Sequence, residues 1–143
     1  MGSRKDIEFA QPALDLLEEL ELDYEQKIAS AHKTPKKVLK ILKENEGKKT
    51  LYITIAGRSN ALSGFVDANT RSPVIACPPY SEKFSGMDIL SSLRMPSGVS
   101  PLVVLEPKNA ALAAAKILAL SDSELSEKIA SYQQKIKEKI GKK

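Results

Sequence analysis

Residues 50–64 read TLYITIAGRSNALSG, and this stretch decides the fold class. Its first half is a continuous apolar and β-branched run, which is typical of a strand that is covered on both faces of a sheet. Its second half passes through polar residues into NALSGFVDANT, which has the pattern of a short helix. A buried strand that leads directly into a helix predicts one unit of a parallel sheet.

The segments upstream of this unit continue the alternation of helices and strands. Residues 6–20 place apolar side chains at helical spacing, although Pro12 predicts a bend or a late helix start. The sequence YEQKIAS, residues 24–30, predicts a short strand. The sequence TPKKVLKILKEN then predicts a helix with Thr34 as its N-cap and Pro35 as its first residue.

The segments downstream complete the pattern. SPVIACPP and SPLVVLEP predict two further buried strands, while GMDILSSLRMPSG and the alanine-rich KNAALAAAKILALS predict helices. This order predicts an α/β protein of three layers, in which helices cover both faces of a parallel sheet. An extra C-terminal helix follows, and it packs on its own subunit or docks on a neighbouring one. Its apolar stripe consists of Leu125, Ile129, Tyr132, Ile136 and Ile140.

Composition bounds the class of protein. The 143 residues are 42% hydrophobic and 28% charged, so one folded domain with an ordinary core is expected. The net charge of +4 is scattered along the chain and aromatic residues make up only 5%, which favours an anionic small molecule over nucleic acid. No apolar run approaches the ~18 residues of a membrane span and no signal peptide is evident, so a cytoplasmic protein is expected. Cys77 is predicted to be a small buried side chain.

Three loops leave predicted strands and should meet at one edge of the sheet, where ligands bind in such folds. They are ASAHKT at 29–34, AGRSNALSG at 56–64 and CPPYSEKFSG at 77–86. In the second loop, Gly57 precedes polar residues at a helix start, an arrangement that suits an anion. An ordinary turn with a capping serine fits the same residues.

His32 is the only histidine in the chain, and Lys33 follows it. A structural role is the usual one for an isolated histidine. Its position in a strand-to-helix loop beside a cation indicates proton transfer instead, because no other side chain titrates near neutrality without help. One histidine and one cysteine are too few for a zinc site, and no G-x-S-x-G motif marks a serine hydrolase. Of the kinds of site considered, these residues therefore favour a proton-transfer site that acts on a phosphorylated substrate.

Six motifs together resemble the phosphoribosylaminoimidazole carboxylase family of purine biosynthesis. The similarity runs from Gly2 to about Leu120, so residues 1–121 are expected to form the catalytic domain and 122–143 an oligomer-associated helix. The motifs are GSRKD at 2–6, SAHKTP at 30–35, AGRSNALSG at 56–64, VIACPP at 74–79, SSLRMPSG at 91–98 and PKNAALAAAKI at 107–117.

The resemblance implies a particular branch of that family. Mutase members carry a histidine-arginine pair and a glycine-alanine-alanine-histidine loop, whereas this chain has Lys33 after His32 and Arg58-Ser59-Asn60 in the loop. It is therefore similar to the class II branch, a carboxy-lyase that joins CO2 to C4 of 5-aminoimidazole ribonucleotide (AIR). The N5-carboxy-AIR mutase reaction is the alternative, and a non-enzymatic flavodoxin-like binding module is the remote one.

The resemblance also implies a flavodoxin-like fold, no metal or organic cofactor, and AIR and CO2 as substrates. The assembly is expected to be a homo-oligomer, a tetramer or an octamer, with active sites at subunit contacts. The implied catalytic base is His32, and Lys33 is expected on the substrate phosphate. Other implied substrate contacts are Ser3, Asp6, Ser30, Gly57 and Ser59, and further pocket residues are Gly2, Ala31, Arg58, Asn60 and Leu62.

One departure from the family concerns the strand that its members carry immediately before the GS motif. In the strand order 2-1-3-4-5 of this fold, that strand lies inside the sheet. The sequence here begins at Met1, so this first strand is expected to be missing and the start to be late by about one strand, ~5–8 residues. A cloning remnant fits less well, because Gly2, Ser3 and Asp6 match the family motif in register.

Overall fold

The computed structural model describes residues 1–141 as a parallel sheet with helices on both faces. The strands are β1 (Tyr52–Thr54), β2 (Val74–Ala76) and β3 (Leu102–Val103). The helices are α1 (Asp6–Glu19), α2 (Pro35–Glu44), α3 (Ala61–Asp67), α4 (Leu90–Leu93), α5 (Pro107–Ala119) and α6 (Ser123–Gly141). Short 3-10 turns at Glu82–Phe84 and Met87–Ile89 precede α4.

The sheet confirms the predicted class. The strand order is β1-β2-β3, and both pairs are parallel, with Tyr52 opposite Val74 and Ile75 opposite Leu102. Each connection contains a helix, as parallel neighbours require. The carboxyl ends of the strands therefore point to one edge, and the loops that follow them meet there.

The core lies on both sides of the sheet. On one side α1 and α5 pack closely, because alanines such as Ala110 and Ala114 let the helices approach Ile75. On the other side α2 and α3 contribute Val38 and Leu62 to a second apolar cluster. Two faces covered by helices make the predicted three layers.

Two strand predictions are wrong in part. Residues 24–30 are extended but belong to no strand of the sheet, because no ladder joins them to β1 within residues 1–141. The third strand was expected to be buried, yet Leu102 is 52% exposed. β3 is the last strand in the order β1-β2-β3, so one of its edges has no strand beside it in the described residues.

An apolar groove of about 470 Å³ separates β1 from the extended segment 22–29. Met1 lines this groove, and Gly2 follows it in the chain. The Met1 amine donates to the Lys27 carbonyl (2.9 Å), the Ala29 amide donates to the Met1 carbonyl (3.0 Å), and the Gly2 amide donates to the Ile55 carbonyl (2.8 Å). Bonds that alternate between two neighbours are the pattern of a strand paired on both sides. Side chains that line the groove include Leu14, Leu17, Tyr24, Val38, Leu42 and Ile53.

The helices largely follow the predictions. α1 runs through Pro12 without a late start, since it begins at Asp6. The first half of α6 buries Leu125, Ile129 and Tyr132 against α1 and α5, whereas Ile136 and Ile140, farther along the predicted stripe, are exposed. α6 thus completes the same core as the preceding helices. None of the helices within residues 1–141 has the length and hydropathy to cross a membrane.

Candidate active site

Short backbone contacts bring the predicted loops together at the carboxyl edge of the sheet. The segment that begins with Met1 bonds to Ala29 on one side and to Ile55 on the other. The loop after β1 also lies directly on the loop after β2: a Cβ added at Gly57 would come within 2.4 Å of the Pro79 carbonyl oxygen. Only glycine permits that approach, so residues 1–6, 29–34, 56–60 and 77–81 form one continuous rim.

His32 lies at the exposed tip of a closed turn. The Thr34 amide donates to the Ser30 carbonyl (2.8 Å), and the Ser30 amide donates to the Thr34 hydroxyl oxygen (2.9 Å). The Lys33 amide donates to the Ser30 hydroxyl oxygen (3.2 Å). Thr34 occupies the N-cap position as predicted, but its hydroxyl closes this turn instead of capping α2. The turn therefore fixes the backbone beneath His32 and leaves the imidazole free to face a ligand.

Residues 2–6 form a second tight turn at the start of α1. The Asp6 carboxylate accepts the Ser3 amide (2.8 Å), and the Lys5 amide donates to the Ser3 hydroxyl oxygen (3.2 Å). Burial raises the pKa of Asp6, while the Ser3 amide and the Met1 ammonium act in the opposite direction. Gly2 allows the turn to lie close to the sheet, because an added Cβ would stand 3.1 Å from that of Ala56. Ser3 itself is exposed and reachable by a ligand.

The loop after β1 presents Arg58 and Ser59 to solvent. Arg58 has a positive φ of 57°, a left-handed backbone that side-chain-bearing residues adopt at an energetic cost. Within residues 1–141, Arg58 has no carboxylate at ion-pair distance. Its guanidinium is therefore available to an anion at the rim.

Asn60 and Leu62, predicted as further pocket residues, point into the protein. The Asn60 amide nitrogen donates to the hydroxyl oxygens of Ser63 (2.6 Å) and Ser92 (2.9 Å), and its carbonyl oxygen accepts the Ser63 amide. Asn60 thus caps α3, so the capping residue of this turn is not a serine. Leu62 belongs to the apolar cluster under α2 and α3. Both positions support the loop from inside.

Three supporting residues were missed by the sequence reasoning. The Asp88 carboxylate accepts the amides of Arg58 (3.3 Å) and Ser81 (3.1 Å). The Ser91 hydroxyl donates to the Arg58 carbonyl (2.8 Å), and Ser92 bonds Asn60. The available signal was a serine pair in the middle of the predicted helix GMDILSSLRMPSG, because Ser and Asp there compete with helical bonding.

The rim has the chemistry of an anion site with one proton acceptor. Lys33 and Arg58 supply positive charge, the turns at Ser3 and Ser30 supply hydroxyls, and His32 supplies an exposed imidazole. Within the described part of the chain, no three His, Cys, Asp or Glu side chains lie close enough to hold a metal ion. Cys77 is fully buried as predicted, and burial with the nearby Glu106 charge raises its pKa to about 12. It is therefore a packing residue, since the thiolate is the reactive form.

A parallel α/β domain that carries a histidine beside exposed cations at the carboxyl edge of its sheet has the arrangement of small-molecule enzymes with this kind of fold. Residues 1–139 match the family model AIR carboxylase, and the chain belongs to this family.

Individual relatives agree with the family match. The phosphoribosylaminoimidazole carboxylase of Archaeoglobus fulgidus is 55% identical over 142 residues, which cover 99% of this chain and 79% of the relative. The enzyme of that name from Treponema denticola is 52% identical, covering 98% and 89%. The crystal structure of Treponema denticola PurE superposes with a TM-score of 0.95 at 51% identity, covering 99% of this chain and 91% of that one. The resemblance and the flavodoxin-like α/β fold are confirmed, whereas the roles of the individual site residues stay predictions.

Proposed function

We propose that this chain carboxylates AIR with CO2 at C4 to give 4-carboxy-AIR, a step of the de novo route to IMP. The observation that carries the proposal is the match of residues 1–139 to the AIR carboxylase family. Lys33 beside His32 and the Arg58-Ser59-Asn60 loop support the direct use of CO2 over the mutase reaction. The two curated relatives described above bear the carboxylase name.

The chemistry requires few groups from the protein. C4 of the aminoimidazole is an enamine carbon, so its electron pair attacks CO2 directly, and a carbon–carbon bond forms. C4, which is now tetrahedral, still bears its hydrogen and must lose it as a proton to restore the aromatic ring. His32 is the proposed base, because it is exposed at the tip of a closed turn on the rim.

The other rim residues are proposed to hold the substrate. Lys33 and the hydroxyl of Ser3 bind the phosphate, and Asp6 accepts hydrogen bonds from the ribose. Ser30, Gly57 and Ser59 contact the ring and the new carboxylate, with Gly2, Ala31 and Arg58 at the margin of the pocket. Holding both reactants in contact lowers the barrier by orientation, which a CO2-using enzyme needs because CO2 offers few groups to bind. No cofactor takes part in this scheme.

The test is an assay of purified protein with AIR and dissolved CO2, in parallel with the N5-carboxy isomer. We expect product from AIR and CO2, and a loss of about 10²–10⁴-fold in kcat for His32→Asn. Lys33→Gln is the contrasting variant, since it removes charge but keeps the base and should mainly raise KM. Product from the N5-carboxy isomer alone would support the mutase, and no product from either would support a non-enzymatic module.

We also propose that the chain acts as a homo-oligomer, a tetramer or an octamer, in the cytoplasm. Large apolar side chains are exposed in the segment that follows β2, close to the rim. A second copy that covers them would bury apolar surface and enclose the site. Light scattering on the purified protein tests this, and a monomer would contradict it. These side chains are Tyr80 (54% exposed), Phe84 (45%), Met87 (60%) and Leu93 (55%).

A further inference from the structure

The loop between β1 and α3 contains an energetic conflict at Arg58. Its φ of 57° lies in the left-handed region, which is unfavourable for a residue with a Cβ. Gly57, directly before it, is pressed against the Pro79 carbonyl, so the loop has little room to relax on that side. Such a conformation persists only where surrounding contacts hold it.

Two side chains hold both peptide groups of Arg58. The Asp88 carboxylate accepts its amide (3.3 Å), and the other Asp88 oxygen accepts the Ser81 amide (3.1 Å). The Ser91 hydroxyl lies within hydrogen-bond distance of the carbonyls of Arg58 and Asp88 (2.8 Å each) and accepts the Asn60 amide (3.0 Å). The left-handed residue is thus bonded at its amide and at its carbonyl by residues that come 30 or more positions later in the chain.

We propose that Asp88 and Ser91 are positioning residues, which keep the Arg58 backbone left-handed so that Gly57, Arg58 and Ser59 face the bound substrate. This inference rests on the proposed function, because it assigns these two residues to that same site. Neither residue touches substrate in this scheme. Their effect passes through the loop.

The position of these bonds favours a role in ligand binding over one in folding. Arg58 and Ser59 are exposed, so the hydrogen bonds from Asp88 and Ser91, here called the clamp, order a surface loop and add nothing to the apolar core. The side chain of Asn60 also secures the start of α3 through its own buried bonds with Ser63 and Ser92. A loop that is ordered in advance loses less entropy when a ligand binds.

The test compares Asp88→Asn and Ser91→Ala with a matched control, Asp67→Asn. The Asp67 carboxylate also accepts a distant backbone amide, that of Ser100 (2.7 Å), but it does so at the opposite end of α3 from the rim. We expect KM for AIR to rise about tenfold in Asp88→Asn and Ser91→Ala, with kcat changed less than about threefold. Asp67→Asn should leave the KM for AIR unchanged. Ser91→Thr keeps the hydroxyl and should therefore have a KM close to that of wild type.

Two measurements separate this inference from its alternatives. Thermal unfolding of each variant identifies a general loss of stability, and equal KM increases in Asp67→Asn and Asp88→Asn would overturn the proposal. Crystal structures of Asp88→Asn and Ser91→Ala report the φ of Arg58 whether or not AIR is turned over. If wild type fails to use AIR, the proposed function is wrong. The φ of Arg58 in the two variants still tests whether Asp88 and Ser91 hold the loop. An unchanged left-handed Arg58 in both variants would overturn the clamp.

Discussion

At the scale of single residues, the rim depends on hydrogen bonds that tie side chains to neighbouring backbone. Ser30 and Thr34 close the turn that carries His32, and Asp6 and Ser3 close the turn before α1. Such short-range bonds follow from residue types at close spacing, because Ser, Thr and Asp readily bond backbone groups a few positions away. The turns of the candidate site are therefore encoded locally.

Gly57 gives a direct test of the contact between two loops. An added Cβ would come within 2.4 Å of the Pro79 carbonyl oxygen, so Gly57→Ala must displace one of the loops. We expect the free energy of unfolding to fall by about 1–3 kcal/mol, together with a loss of AIR turnover. Gly141→Ala is the matched control, since nothing lies within 4 Å of its added Cβ. Urea unfolding measures both, and equal stabilities would contradict the contact.

The Asp6 carboxylate should lower the stability of the folded protein at neutral pH while it strengthens the binding of AIR. Burial raises its pKa, so the folded protein holds the proton more tightly than the unfolded chain does. Stability from this group is therefore greatest at low pH and is lost as pH rises through the usual carboxyl range to the raised value. We expect Asp6→Asn to unfold at a higher temperature than wild type at neutral pH and to have a higher KM for AIR. The thermal difference should vanish below the usual carboxyl range, and a difference independent of pH would refute this account.

At the scale of elements, sequence pattern predicted the helices better than the strands. Most predicted helices are present, because each carries an apolar face at 3.6-residue spacing that its neighbours bury. Residues 24–30 carry a strand pattern but belong to no strand of the sheet, since a strand exists only through pairing with another segment and only Lys27 and Ala29 bond to Met1. The same reason left β3 exposed at Leu102, because its place at the end of the strand order is a property of the sheet.

Helix α6 should contribute to stability through its first half alone. Ile129 is 5% exposed in the core beside α1 and α5, whereas Ile140 on the predicted stripe is 72% exposed. We expect Ile129→Ala to cost about 2–5 kcal/mol of unfolding free energy and Ile140→Ala to change it by less than about 0.5 kcal/mol. Urea denaturation compares the two. A large effect of Ile140→Ala would instead indicate that a neighbouring subunit covers the end of the helix.

At the scale of the whole molecule, an apolar groove lies between β1 and residues 22–29. Its apolar lining faces about 470 Å³ of open volume, and the partly buried Met1 amine lies at its end, where desolvation lowers the pKa of the amine. Pairing with Lys27, Ala29 and Ile55 shows that Met1 and Gly2 follow the path of a strand between both neighbours. An extended apolar segment continuous with Met1 would fit this groove.

We therefore expect a β-branched extension of about six residues ahead of Met1 to stabilise the protein. It would replace a partly buried ammonium with a peptide group and cover the apolar lining. The melting temperature should rise by at least about 5 °C, with slower amide exchange at Ile53. An extension of equal length made of Gly, Lys and Pro is the control, because it cannot pair or bury apolar side chains there. Equal melting temperatures for the two extensions would refute the prediction.

The sequence by itself determined the parallel α/β class, most helices, the place of His32 in the loop before α2, and the family. These features depend on the periodicity of apolar residues and on residues close together in the chain, so they can be predicted without knowing how the elements pack. Only the tertiary structure decided that Asn60 points inward and that Asp88 and Ser91 reach back to Arg58. It also decided which extended segments became paired strands. Contacts between residues some 30 positions apart depend on how elements pack, and no local pattern specifies which of many polar side chains will meet.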